Sequence, residues 1–236
     1  AGQYVWCEEP FAFEMKEDCV EISSTQGKII MGKVGSTLRE ARQYVADTFF
    51  PASGLLPDTI LFSSPQYNTW IELNYNQNQE DVLKYARAIL DNGFPPGVIT
   101  IDDSWQEDFG VWKFHPKRFP DPKKMIGELH RMGFKVSLWV CPFVSPDQEH
   151  LVREFRENNP LLLRNVTDKW GNTSQVPYII QWWNGYSAIL DMSNPDACKW
   201  FEAQLNFLME EYGIDGFKFD GGIWNIILMM QLVMAM

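Results

Sequence analysis

Residues 213–222 read GIDGFKFDGG, and the fold turns on how that stretch is parsed. A long amphipathic segment precedes it, Gly213 stops that segment, and a short apolar run at 216–219 leads directly into Asp220. Helix, glycine stop, short strand, then a carboxylate where the strand runs out is the grammar of a β/α barrel, whose reactive groups sit at the C-terminal ends of the strands. The two-residue period of a strand puts Lys218 and Asp220 on one face, alternating with Phe217 and Phe219. An ammonium beside a carboxylate favours the ionised form that a nucleophile requires. Taken alone, the stretch also fits a strand-end Asp-Gly turn beside a solvated lysine. A strand running into reactive groups recurs twice upstream, and that recurrence selects the barrel.

Upstream, Asn194-Pro195 opens the helix that ends at Tyr212, with Trp200, Leu205 and Leu208 as its core stripe. Asp191, in ILDMSNP at 189–195, reads as a cap for that helix. Residues 160–187 break the rhythm, since RNVTDKWGNTSQVPYIIQWWNGY (164–186) is too long for an ordinary barrel loop. Insertions at a barrel's top face commonly build the substrate pocket. Before it, Ser145-Pro146 opens a helix striped by Leu151, Val152 and Phe155, and a strand at 135–140 leads into Cys141. Asp121-Pro122 starts a helix with Met125, Ile126 and Leu129 inward and a stop at Gly133. The strand at 98–101 ends in Asp102, Asp103 and Trp105. Asn78 and Asp81 cap a helix carrying Val82, Ala86, Ile89 and Leu90, stopped by Gly93. A strand around 67–73 carries Trp70. Strands alternating with helices predict a parallel sheet, and about four barrel strands make an incomplete (β/α)8 barrel.

The first 50 or so residues have a different texture. YVWCEEPFAFEM (4–15) and CVEISS (19–24) alternate apolar and polar positions with Gly27, Gly32 and Gly35 as punctuation, predicting short antiparallel strands. A helix follows in VGSTLREARQYVADTF, with Ser36 as cap and Leu38, Ala41 and Val45 on one face. FFPASGLLPD at 49–58 is the linker. The expected division is therefore 1–57 as the end of a β-domain plus linker, 58–222 as the first half of the barrel, and 223–236 as an apolar tail without period, cap or turn. That tail is shorter than the ~20 residues that span a bilayer. The chain reads as an internal fragment.

Composition bounds the function. Of 236 residues, 45% are hydrophobic and 14% aromatic, with ten Trp. Trp can fill a core, and it also serves sugar sites, where an indole face packs on the apolar face of a pyranose ring. A net charge of -11 argues against nucleic-acid and anionic-membrane partners, which need basic patches. Four scattered cysteines (Cys7, Cys19, Cys141, Cys198) and three histidines (His115, His130, His150) show no metal-ligand or disulfide spacing. No metal and no cofactor are implied.

Three strand ends then carry groups able to do chemistry or hold a ring: Asp102-Asp103-x-Trp105, Trp139 with Cys141, and Lys218-x-Asp220. Carboxylates from separate strands meeting at one barrel face suit glycoside hydrolysis, in which one attacks the anomeric carbon while another protonates the departing oxygen. Asp220 would be the nucleophile. Asp102 or Asp103 would accept hydrogen bonds from sugar hydroxyls, and Trp70, Trp105 and Trp139 would line the ring site. Other readings stand beside these: a turn-forming acidic pair, Trp139 as plain core, and Cys141 as a small buried hydrophobe rather than a thiol nucleophile.

From Trp70 to Asp220 the chain resembles glycoside hydrolase family 31, in particular the branch of the myogenesis-regulating glycosidase and its bacterial relatives. The blocks that carry this are VITIDDSW (98–105), FGVWKFHPKRFPDPKKM (109–125), KVSLWVCPFVSP (135–146), ILDMSNP (189–195) and IDGFKFDGG (214–222), with VGSTLREA (34–41) ahead of them. The resemblance implies a retaining α-glycosidase on a (β/α)8 barrel behind an N-terminal β-sandwich, with activity on α-galactosides or α-glucosides. It carries the nucleophile to Asp220, the paired lysine to Lys218, the sugar-holding acidic pair to Asp102 and Asp103, and the first-strand Trp to Trp70. In that family the acid/base carboxylate lies on a later strand. The matching pattern stops at Gly222, so the acid/base residue is expected to be absent from this chain and the fragment inactive by itself. The α-galactosidases of families 27 and 36 share much of the pattern, and a non-catalytic carbohydrate-binding or regulatory protein on the same barrel is the rival from another class.

Overall fold

The computed structural model describes residues 11–24, 32–158, 161 and 163–221. The strand pattern at 4–10, Cys7, Gly27, Gly222 and the tail at 223–236 lie outside the described residues. The chain divides into two compact units, Ala1–Leu56 and Pro57–Met236.

In the first unit, β1 (Phe11–Met15) and β2 (Val20–Ser24) form an antiparallel pair with Met15 opposite Val20. Helix α1 (Leu38–Phe49) starts in a capping box. The Thr37 hydroxyl accepts from the Glu40 N–H, and the Glu40 carboxylate reaches back to the N–H groups of Ser36 and Thr37. The cap is thus Thr37, one residue past the expected Ser36. The expected apolar stripe is not buried, for α1 has no buried residue and Leu38 is 88% exposed.

The second unit runs α2 (Ile60–Ser63), β3 (Gln66–Asn68), α3 (Trp70–Leu73), α4 (Gln79–Asp91), β4 (Val98–Ile101), then the hairpin β5 (Gln106–Asp108) and β6 (Val111–Phe114). It continues with α5 (Pro122–Arg131), β7 (Lys135–Val140), β8 (Phe143–Val144), α6 (Glu149–Asn158), β9 (Leu163–Thr167), β10 (Thr173–Pro177), β11 (Ile179–Trp182), β12 (Gly185–Ile189), α7 (Pro195–Tyr212) and β13 (Gly216–Phe219). Strands β3, β4, β7 and β13 pair side by side in chain order into a four-stranded sheet, every pair parallel.

Register and parity together decide what that sheet presents. Asn68 lies opposite Thr100, Thr100 opposite Ser137, and Ser137 opposite Gly216. Two-residue alternation then puts Asp102, Trp139, Lys218 and Asp220 on the same face as these small and polar residues. The other face carries Ile99, Ile101, Val136 and Leu138, all at 0% exposure. There α4 buries Val82, Ala86 and Ile89, and α5 buries Met125, Ile126 and Leu129. Full burial of each such side chain contributes about 1.5–3 kcal/mol. The α4 and α5 starts behave as their sequences dictate: Asn78 accepts from the Asp81 N–H, and Asp121 from the Lys124 N–H ahead of Pro122.

Away from the sheet, several elements differ from expectation. The strand expected around 67–73 is only Gln66–Asn68, after which the chain turns into the one-turn helix α3, so Trp70 sits past the strand. Helix α6 begins at Glu149 rather than near Ser145, because Phe143 and Val144 are taken up as β8 against β12. On α7 the buried residues are Ala197, Phe201 and Leu208, while Trp200 and Leu205 are only partly covered. Residues 163–189 fold as two hairpins, β9–β10 and β11–β12, the second joining β8 in a three-stranded sheet. Asp191 closes a turn on the N–H and hydroxyl of Ser193, and the cap of α7 is Asn194. At the opposite end of the strands from the carboxylates, Asp215 accepts from Lys135 Nζ at 2.7 Å and the Val136 N–H at 2.8 Å, and meets His130 Nε2 at 2.7 Å. That knot ties α5, β7 and the start of β13 together.

Candidate active site

Four adjacent strand ends deliver the site. At the end of β13, the Asp220 N–H donates to the Val140 carbonyl at 2.9 Å, continuing the parallel ladder one residue past the strand. The next residue has φ +76°, and a Cβ there would lie 2.6 Å from a Phe143 ring carbon, so Gly221 is required on both counts. Its N–H donates to Asp220 Oδ1 at 2.7 Å. From β7, Trp139 Nε1–H donates to Asp220 Oδ2 at 2.9 Å. Trp105 Nε1–H in turn donates to the Trp139 carbonyl at 2.8 Å.

Lys218 is placed as the strand alternation requires, with Nζ 3.5 Å from Asp220 Oδ2, yet its shorter contact is 2.9 Å to Asp102 Oδ2. The same Asp102 oxygen accepts Asn68 Nδ2–H from the end of β3 at 2.6 Å. Asp102 Oδ1 accepts the Asp103 N–H at 2.9 Å, and the Asp102 N–H donates to Thr69 Oγ1 at 3.0 Å. Thr69 Oγ1–H donates to Gln77 Oε1 at 2.6 Å, which anchors the loop after β3. Asp103 turns the other way. Its Oδ1 accepts Gln106 Nε2–H at 3.2 Å and its Oδ2 accepts Asn184 Nδ2–H at 2.6 Å.

Exposure separates the three carboxylates. The Asp220 side chain is 37% exposed, that of Asp102 is 4% exposed, and Asp103 as a whole residue is 2% exposed. Partial burial alone would raise the Asp220 carboxyl, but the indole N–H of Trp139, the Gly221 N–H and the Lys218 ammonium hold it below the ordinary aspartate value. For Asp103, burial dominates and the Asp102 charge adds to it. Hydrogen bonds from Gln106, Asn184 and the Ser104 N–H offset only part, so its carboxyl sits above the ordinary value. Burial works against the Lys218 ammonium, and the two carboxylates beside it outweigh that and raise it. Full burial pushes the Cys141 thiol well up, leaving it an inert core residue rather than a nucleophile.

The expected tryptophans divide. Trp105 is 0% exposed, packed on Phe114 at 4.8 Å between ring centroids and close to Trp112, so it lines no sugar site and instead braces Trp139. The cause is the backbone at Ser104, where φ of +76° turns Trp105 inward. Trp139 is buried at 1% exposure but aims its N–H edge at Asp220. Trp70 is half-buried and meets Tyr75 edge-on at 4.8 Å. Asn68, Gln106, Tyr75 and Asn184 are site residues that the sequence reading did not single out. The signal for Asn184 was an Asn-Gly pair between two alternating runs, a hairpin-turn signature; Asn68 had none. A cleft of about 460 Å³ runs along the sheet face that carries Asn68, Thr100, Ser137 and Lys218. Among the described residues no cluster of His, Cys, Asp and Glu is arranged to hold a metal, and no helix is long and apolar enough to cross a membrane.

Residues 62–227 match the glycosyl hydrolases family 31 TIM-barrel domain. The myogenesis-regulating glycosidase of Mus musculus is 31% identical over 193 residues, covering 80% of this chain and 25% of that protein. The alpha-xylosidase XylQ of Lactiplantibacillus pentosus is 28% identical over 163 residues, covering 66% of this chain and 20% of that protein. Among solved structures, the family 31 dextranase of Flavobacterium johnsoniae, complexed with glucose, superposes with a TM-score of 0.64 at 20% identity, over 80% of this chain and 21% of that one. The chain thus spans a quarter or less of each of these relatives, and the parallel sheet belongs to an α/β barrel.

Proposed function

The chain belongs to glycosyl hydrolase family 31, and on that premise we propose that it supplies the nucleophile half of a retaining α-glycosidase, with Asp220 as the nucleophile. The observation that carries this reading is the contrast in exposure. Asp220 alone of the three strand-end carboxylates is open, and it is held ionised by Trp139, Gly221 and Lys218. A carboxylate so placed attacks the anomeric carbon from the β side as the α-linked leaving oxygen departs and takes a proton. The resulting β-linked glycosyl ester is hydrolysed by water with net retention. Asp102 and Asp103 offer their remaining lone pairs to sugar hydroxyls, and Lys218 balances the charge between Asp102 and Asp220. The substrate class is an α-galactoside or α-glucoside, as a glycoside or an oligosaccharide. Neither a nucleic acid nor a membrane is a partner of this acidic chain.

The same reading assigns residues 1–57 to the end of a β-sandwich domain with its linker and 58–222 to the first half of a (β/α)8 barrel, the family match running on to residue 227. The acid/base carboxylate then comes from outside residues 1–236. Those residues alone lack the 10²–10⁴-fold help of general acid catalysis and would not turn over a glycoside. The test is covalent trapping. The intact protein is treated with a fluorinated glycosyl fluoride, digested, and the adduct mapped by mass spectrometry. We expect the label on Asp220; a label on Asp102 or Asp103 would overturn the assignment.

A further inference from the structure

Asn184 sits in the turn of the β11–β12 hairpin, yet its side chain reaches the end of β4. Its Nδ2–H donates to Asp103 Oδ2 at 2.6 Å, and its Oδ1 accepts the Tyr75 hydroxyl proton at 3.0 Å. Tyr75 lies in the loop after α3 and meets Trp70 edge-on. The orientation of the Asn184 amide is therefore doubly determined, because the reverse orientation would set its carbonyl oxygen against a carboxylate. Of the two side-chain donors to Asp103, Asn184 makes the shorter bond, at 2.6 Å against 3.2 Å from Gln106.

We propose that Asn184, oriented by Tyr75, is a positioning residue for Asp103: it fixes the direction in which that carboxylate meets the sugar and docks the β11–β12 hairpin onto the sugar site. This rests on the reading of Asp103 as an acceptor for sugar hydroxyls. The physical case is that a carboxylate at 2% exposure has almost no water to satisfy it, so each protein donor both orients it and stabilises its charge. The other charged and titratable groups facing Asp103 are Asp102 in the same turn, Arg118 from the loop after β6, and the Cys141 thiol at the end of β7. Lys218 of β13 faces Asp102. Asp102 opposes ionisation of Asp103, Arg118 favours it, and Asn184 adds the shorter of the two side-chain amide bonds to it.

The test uses three variants of the intact protein, Asn184→Leu, Asn184→Gln and Tyr75→Phe, with their melting temperatures recorded. The Asp103 carboxyl is titrated by carbon NMR, and kcat/KM for an aryl α-glycoside is measured against pH. In Asn184→Leu we expect the Asp103 titration to move to higher pH and kcat/KM to fall, with Asn184→Gln restoring part of both. Tyr75→Phe should give a smaller shift in the same direction, and no further shift when added to Asn184→Leu. An unmoved titration in folded Tyr75→Phe or Asn184→Leu overturns the inference, as do additive effects of the two changes. If Asn184→Leu does not fold, the Tyr75→Phe titration alone decides in the same way. Unchanged kinetics in Asp103→Asn would instead sink the sugar-binding reading, while the titrations would still judge Asn184.

Discussion

The ends of β4 and β13 look alike in sequence and differ in chemistry. Each is a short strand that stops at an aspartate, and each aspartate leans on a neighbouring strand. At β4 the pair Asp102-Asp103 is sunk to 3% and 2% exposure and meets side-chain donors from Asn68, Lys218, Gln106 and Asn184. At β13 the Asp220 side chain keeps 37% of its surface. Its partners hold its proton affinity below the ordinary aspartate value, whereas burial raises that of Asp103. One strand grammar thus produces an open anion fit to attack and a closed pair fit to orient, and the local donors decide which. Lys218 joins the two ends, closer to Asp102 than to Asp220.

The harshest way to break this contrast is to exchange the roles. Asp220→Ala in the intact protein should lose roughly 10⁴–10⁶-fold in kcat, the scale of removing a nucleophile. Added azide should restore part of the turnover of an activated aryl glycoside in the emptied site. Asp102→Asn should cost less, on the order of 1.5–3 kcal/mol from one lost charge-assisted bond, which is about 10–150-fold in kcat/KM. If Asp102→Asn matched Asp220→Ala and azide rescued neither, the division of labour between the two strand ends would be wrong.

Lys218→Met sharpens the comparison, since it removes the link and leaves both ends in place. Lys218 favours the ionised form of Asp220, so its loss should raise the Asp220 carboxyl toward the ordinary value. Sign follows directly: Asp220 then protonates at higher pH, and, with Asp220 in the proposed role, the acidic limb of kcat/KM moves up. Asp102 meanwhile keeps Asn68 and the Asp103 N–H but loses its cation. A pH profile whose acidic limb stays fixed in Lys218→Met would show that Asp220 is tuned without Lys218.

How far these two ends were legible in the sequence follows from where their partners lie. Strands β4, β7 and β13 fall on the residues expected because each is a compact apolar run bounded by glycine or proline, which fixes bounds tightly. The first strand was less legible, since QYNTWIEL alternates well past the three residues that pair, and the Thr69 turn that ends β3 has no glycine or proline to mark it. The strand-end position of Asp220 and the face it shares with Lys218 are local properties of one strand, readable from period two. Trp105 misled because its neighbours in sequence are the acidic pair, while the left-handed backbone at Ser104 sends its ring into the core. The bonds of Asn68 and Asn184 to the acidic pair could not be read, because they span 34 and 81 residues of chain. A polar side chain carries no periodicity that would announce such a partner.

The smallest effect expected is also the most discriminating, because it separates two functions of one side chain. Trp139 fills the core at 1% exposure and donates its indole N–H to Asp220 at 2.9 Å. Trp139→Phe removes the donor and some packing volume, and Trp105→Phe removes a comparable volume without touching Asp220. Both should lower the melting temperature, since a cavity opens in each case. Only Trp139→Phe should move the acidic limb of kcat/KM to higher pH, because the indole N–H is the first of the groups that hold the Asp220 carboxyl down against its burial. A net hydrogen bond of about 1 kcal/mol sets the expected loss in kcat/KM near neutral pH at roughly 5-fold. If the two variants lose stability alike and neither shifts the pH profile, Trp139 is core and nothing more. Asp220 would then owe its ionised state to Gly221 and Lys218.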